Sequence, residues 1–152
     1  MKNIQIIFLI IITTGLFSCS KKLAPPGYNG EVNYLRNDNK GTVTVQSLGF
    51  GRDKNESYLN AKATSFYILF FRGLAVSDYN LPLIPNENNK KDDPIVKNLL
   101  DGDFSTFITS VYTISEATKV GKYYQCELEI TINYDALRKY LEQNNIIRKF
   151  GF

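Results

Sequence analysis

Apolar and polar side chains alternate from Tyr123 to Ile132, with Cys126, Leu128, Ile130 and Ile132 on one side and Gln125, Glu127, Glu129 and Thr131 on the other. A period of two predicts a strand with one buried and one wet face. Ser110 to Thr118 reads as its partner, joined through a turn at Val120-Gly121-Lys122. Thr42 to Phe50 is a further strand by its β-branched content, with Val43 and Val45 pointing one way and Thr44, Gln46, Leu48 and Phe50 the other. The period then changes to that of a helix. Leu59, Ala63, Phe66, Phe70 and Leu74 form an apolar stripe, which predicts a core helix from Lys54 to Leu74. Asp53 is placed to cap it, and Glu56, three positions later, to complete a capping box. Gly73 either permits close packing or begins the exit from the helix.

Residues 77–93 are interrupted by Pro82 and Pro85 and carry a polar run from Asn86 to Asp93, so they are expected to form an exposed loop. Ile95 to Leu100 suggests a short helix, continued by a turn through Phe104 and Phe107. At the other end of the chain, Asn133 or Asp135 is positioned to cap a last helix with Leu137, Tyr140 and Leu141 inward, and Ile146, Ile147 and Phe150 packing beyond it. This order of elements predicts an α+β fold: a small, mainly antiparallel sheet packed against one long and one C-terminal helix. Residues 31–36 offer one more strand.

The first residues follow a different pattern. Lys2 precedes an apolar run from Ile4 to Ile12, broken only by Gln5. These are the proportions of a signal peptide. The run is shorter than the roughly 20 residues of a permanent membrane span, although a retained transmembrane anchor is the rival reading. Leu16-Phe17-Ser18-Cys19 resembles the bacterial lipobox. The resemblance implies a diacylglyceryl thioether on Cys19, cleavage before it and acylation of the new amine. Two or three acyl chains make such an attachment durable. Phe17 to Lys22 resembles lipoproteins of the Bacteroidetes group. Ser20 after the cysteine implies outer-membrane sorting, and Lys21-Lys22, in place of acidic residues, implies a periplasm-facing position. The chain thus divides into residues 1–18 as a lipoprotein signal peptide, 19–40 as the lipidated cysteine and a flexible tether containing Pro25-Pro26-Gly27, and 41–152 as a single α+β domain.

Composition narrows the function. The 152 residues suit one domain, and 43% apolar content supports a packed core. A net charge of +3 with only short basic pairs, such as Lys90-Lys91 and Arg148-Lys149, does not describe a nucleic-acid interface. There is no histidine, which removes the usual proton shuttle, the Ser-His-Asp and Cys-His systems and histidine metal sites. Cys19 and Cys126 permit one disulfide by number, but lipidation would occupy Cys19; Cys126 falls among core residues. Gly49-Phe50-Gly51 stands where a dinucleotide-binding loop would, yet position 54 is lysine, and tight-turn geometry accounts for the glycines. Asp101-Gly102-Asp103 lacks the spaced oxygen ligands of a calcium loop and reads as a solvated turn. Glu127 and Glu129 pair as carboxylates on the wet face of a strand, as such alternation produces routinely.

Val43 to Gly51, followed by Asn60-Ala61-Lys62-Ala63, resembles a motif of the LPP20-like family of small envelope lipoproteins, in which a strand ends in a Gly-x-Gly turn and enters an alanine-bearing helix. Here the helix turns aromatic at Phe66, Tyr67, Phe70 and Phe71. The family implies no enzyme activity and instead a structural or accessory part of an envelope complex, with a secretion apparatus as one host; no cofactor is expected. The expected partners are therefore a lipid bilayer through acylated Cys19 and an envelope protein. Tyr79, Leu83, Ile84, Phe150 and Phe152 are the candidate protein contacts, drawn from the loop and the last residues. The alternative is a periplasmic binding module for a small hydrophobic or glycan ligand, which requires an enclosed aromatic cavity.

Overall fold

A computed structural model describes residues 30–38, 40–85 and 90–149. The fold is α+β. Its sheet contains β1 (Val32–Asn37), β2 (Thr42–Gly51), β3 (Ile108–Val120) and β4 (Tyr123–Asn133) in the order β1-β2-β4-β3, with every neighbouring pair antiparallel. Among the described residues three helices accompany it: α1 (Lys54–Phe71), α2 (Pro94–Asp101) and α3 (Tyr134–Gln143), with a 3-10 turn at Asp103–Phe107 following α2. No helix among the described residues is long and apolar enough to cross a membrane. The strand anticipated from residues 31–36 forms as β1, so residues 32–37 belong to the sheet and not to the tether expected over 19–40. The signal-peptide and lipobox residues lie outside the described residues.

β4 holds the centre of the sheet with β2, and its alternation is obeyed: Cys126, Leu128, Ile130 and Ile132 are all buried. Their neighbours form a polar ladder on the other face. Gln46 Nε2 donates to Glu127 Oε1 at 2.7 Å, the Thr44 and Thr131 hydroxyls meet at 3.1 Å, and Arg36 forms an ion pair with Glu129. The two carboxylates thus have separate partners, each bracing a strand contact.

α1 crosses the buried face closely. Ser57 and Ala61 are fully buried against β2, and the Ser47 hydroxyl donates to the Ala61 carbonyl at 2.7 Å. A Cβ on Gly49 would stand 2.2 Å from the Ser57 carbonyl oxygen, and one on Gly51 2.3 Å from the Ser57 nitrogen. The turn reading of Gly49-Phe50-Gly51 is therefore corrected. These glycines lie within β2 and let a helix backbone approach the strand.

The start of α1 follows the expected chemistry. Asp53 Oδ1 accepts from the Glu56 amide at 2.8 Å, and Glu56 reaches back to the Arg52 amide at 2.6 Å, one residue earlier than in a standard box. That contact and the Arg52 guanidinium lower the pKa of Glu56 below the ordinary carboxylate range, the guanidinium bond being the larger cause. The helix ends at Phe71, three residues before the expected Leu74, because Gly73 turns into the left-handed region at φ +76°. Its last carbonyls are then satisfied by the following loop: the Leu83 amide donates to Leu69 at 3.0 Å and the Ile84 amide to Phe70 at 2.7 Å.

The expected stripe on α1 holds at Ala63, Phe66 and Phe70 but fails at Leu59, which is 46% exposed. The reason is the reach of its cover. Phe104 stacks on Phe66 with ring centroids 5.3 Å apart, so this face is roofed in the second half of the helix, whereas Leu59 comes nearly two turns earlier. The short helix expected from Ile95 to Leu100 forms as α2, started by an Asp93 cap on the Ile95 amide at 3.0 Å and by Pro94 in its first turn. Asn133 caps α3 through the Ala136 amide at 3.0 Å, and Leu137 and Leu141 are fully buried.

Candidate functional site

Two surfaces of the described residues carry exposed apolar chemistry. The first is β3, an edge strand with β4 on one side only. It has 13 residues, against a usual 5–6, and spans about 40 Å. From Ile108 to Ser115 it bears no charge. Val111, Tyr112, Ile114 and Val120 are exposed, Tyr112 by 69%. Register shifts at Thr113/Ser115 and Ser115/Thr118 bend its second half, where Glu116 and Lys119 also lie. Bulges and charges of this kind blunt an edge. Ser110 to Thr113, in contrast, pairs regularly with Thr131 to Leu128 and leaves its outer backbone groups free of strand pairing. Tyr58 braces the bent half from α1: its hydroxyl donates to Glu116 and accepts from the Ala117 amide at 3.1 Å.

The second surface is an open groove of about 600 Å³ at the opposite end of β4 from the β3–β4 turn. Loop residues Tyr79, Leu81, Pro82 and Pro85 form one wall, and Tyr134, Arg138, Ile147, Arg148 and Lys149 the other. Tyr79 and Tyr134 pack with ring centroids 4.4 Å apart. Burial pushes both phenols above their ordinary pKa. Arg138 is held by Glu142 at 3.1 Å.

Of the candidate contacts from the sequence, Tyr79 and Leu83 line the groove and Ile84 does not. Tyr79 is half-buried and lines the groove. Ile84 is buried in the core and Leu83 is buried at the floor of the groove, because their amides dock on the end of α1. Phe150, Phe152 and Cys19 lie outside the described residues. The residues that do project from the loop are Val76, 97% exposed, and Leu81, 77% exposed. Their signal in the sequence was present but weak: apolar residues in a Gly- and Pro-bounded segment without helical or strand period.

Cys126 is buried with its thiol pKa raised, chiefly by desolvation. Among the described residues no group of His, Cys, Asp and Glu is arranged to hold a metal ion. No family model matches the chain, and neither curated proteins nor solved structures give a match.

Proposed function

We propose that this protein is a noncatalytic, lipid-anchored component of a cell-envelope protein complex, held in the outer membrane through Cys19, facing the periplasm and joining its partner along the edge of β3. One observation carries the choice of surface. An uncharged half-edge with Val111 and Tyr112 exposed is suited to receive a strand from another protein, backbone to backbone, with the alternate side chains supplying specificity. The lipobox resemblance supports the anchor. The LPP20-like resemblance supports an accessory role, with a secretion apparatus among the hosts that fit.

The test is affinity capture of the full-length protein from mildly solubilised native membranes, beside Cys19→Ala and Tyr112→Lys. The expected result is one stoichiometric partner, lost with Cys19→Ala and weakened with Tyr112→Lys. Undiminished capture by Tyr112→Lys would remove the edge from the proposal. No partner with intact folded bait would overturn the complex itself.

A second reading, a binding module for a small hydrophobic or glycan ligand, draws support from the groove at Tyr79 and Tyr134. That groove is open where a ligand module would enclose its guest, which favours the partner reading.

A further inference from the structure

The loop after α1 displays apolar side chains on a strained and firmly held backbone. Val76 has φ +60°, a region in which a β-branched residue is a genuine outlier, and its side chain meets almost nothing of the protein. The loop is closed by hydrogen bonds. The Leu74 amide donates to the Tyr79 carbonyl at 2.7 Å, the Ser77 hydroxyl donates to the Leu74 carbonyl at 2.8 Å, and the Tyr79 amide donates to the Ser77 hydroxyl at 3.0 Å. Strain that the surroundings over-determine in this way points to display. Leu81, at the far side of the loop, lines the groove together with Arg138, Arg148 and Lys149. One carboxylate, Asp78, shares that lining and accepts from Asn37 Nδ2 at 3.4 Å. Arg138 is already paired with Glu142, so the cations the lining offers are Arg148 and Lys149, against Asp78.

This chemistry suits a bilayer better than a protein pocket. Protein interfaces concentrate their affinity in aromatic and arginine anchors seated in dry pockets, and valine and leucine on a projecting loop are poor anchors of that kind. A membrane interface accepts small aliphatic side chains without shape complementarity, and anionic headgroups complement flanking cations. We propose that the loop from Gly73 to Leu81 is a second contact with a bilayer containing anionic lipid, lying at headgroup level beside Arg148 and Lys149. The proposal rests on the lipid anchor at Cys19. Residues 20–31 separate that anchor from β1 and reach about 40 Å when extended. β1 then runs about 17 Å to Asn37, which touches the loop at Asp78. The loop is thus within reach of the leaflet that holds the acyl chains. Two aliphatic side chains bind a membrane weakly, but tethering makes the contact intramolecular and sufficient to orient the domain.

The experiment uses acylated full-length protein in vesicles of phosphatidylcholine with and without phosphatidylglycerol. A polarity-sensitive fluorophore is placed at Val76→Cys or, as a distant reference, at Lys122→Cys in the β3–β4 turn. Cys126 is buried and does not take the label. The expected result is a blue-shifted emission at position 76, quenched by lipid-borne nitroxide, strongest with phosphatidylglycerol and absent at position 122. Arg148→Glu with Lys149→Glu should return position 76 to its aqueous emission. Vesicle flotation separates the two readings. A protein that floats with vesicles while position 76 stays aqueous keeps its anchor and refutes the loop contact. A protein that does not float refutes the anchor. Because the vesicles contain no other protein, an aqueous signal there with shielding only in native membranes would assign the loop to a protein partner and overturn the proposal.

Discussion

Replacing Gly49 by alanine puts a methyl group where α1 already stands. The added carbon would lie 2.2 Å from the Ser57 carbonyl oxygen and 2.6 Å from both the Ala61 nitrogen and the Ala61 Cβ. Ordinary contact begins near 3.4 Å, so strand and helix must separate by about 1 Å. Two of the three opposing atoms are backbone and have no rotamer into which to retreat. Overpacking of this kind costs about 1–3 kcal/mol, and a backbone obstacle places Gly49→Ala toward the upper end. Alanine returns about 0.5–1 kcal/mol through the unfolded chain, leaving a net loss of about 2 kcal/mol. That is a large fraction of the roughly 5–15 kcal/mol that holds a domain of this kind together. Separating the layers also lengthens the bond from the Ser47 hydroxyl to the Ala61 carbonyl, now 2.7 Å. Urea unfolding followed by circular dichroism is the assay, with the midpoint expected to fall and the slope to stay constant. Ala61→Gly in the same chain removes only the side-chain part of the clash and should not restore stability. A Gly49→Ala protein within about 0.5 kcal/mol of the parent would refute the close helix–strand packing.

Three smaller perturbations test other joints. Asp53→Ala removes the cap on the Glu56 amide and should cost about 1 kcal/mol in the same unfolding assay, whereas a neutral result would deny the cap a role. Gly73→Ala faces both a left-handed φ of +76° and the Asn80 carbonyl oxygen at 2.2 Å, so the melting temperature should drop more than for Gly121→Ala, whose φ of +63° is strained but whose surroundings are open. Cys126 has its pKa raised by burial, which lowers its thiolate fraction at neutral pH, so maleimide should modify it only after denaturation; rapid alkylation of the folded protein would contradict its place in the core.

The strands, the inward side of β4 and the caps of α1 and α3 were legible because each rests on local chemistry: alternation in β4, and a short polar side chain just before the helix. What escaped depends on contacts distant in sequence. The inward face of the first half of α1 is Ser57 and Ala61, small residues that a hydrophobicity count passes over in favour of Leu59. They are inward because Gly49 and Gly51 bring the backbones too close for anything larger. Leu83 and Ile84 look exposed in a loop rich in proline. They are buried because the end of α1 needs hydrogen-bond donors and that segment supplies two.

The same limit applies to the candidate surfaces. Ser110 to Thr118 reads as a strand from its own composition, but whether a strand lies at the centre or the edge is decided by the connections of the others. Here β2 takes the far side of β4, which leaves β3 with one neighbour and makes Tyr112 and Val111 surface residues. Likewise, Val76 becomes a displayed residue only once the Leu74 amide and the Tyr79 carbonyl close the loop around it. The two surfaces differ in what they ask of a partner. An uncharged strand edge asks for another backbone in a set direction, while an aliphatic loop among cations asks only for an apolar, anionic boundary. If the loop rests on the membrane, β3 starts at that end with Ile108 opposite Ile132, so the uncharged half-edge from Ser110 to Thr113 lies on the bilayer side and the charged, bent half runs on toward the turn at Gly121.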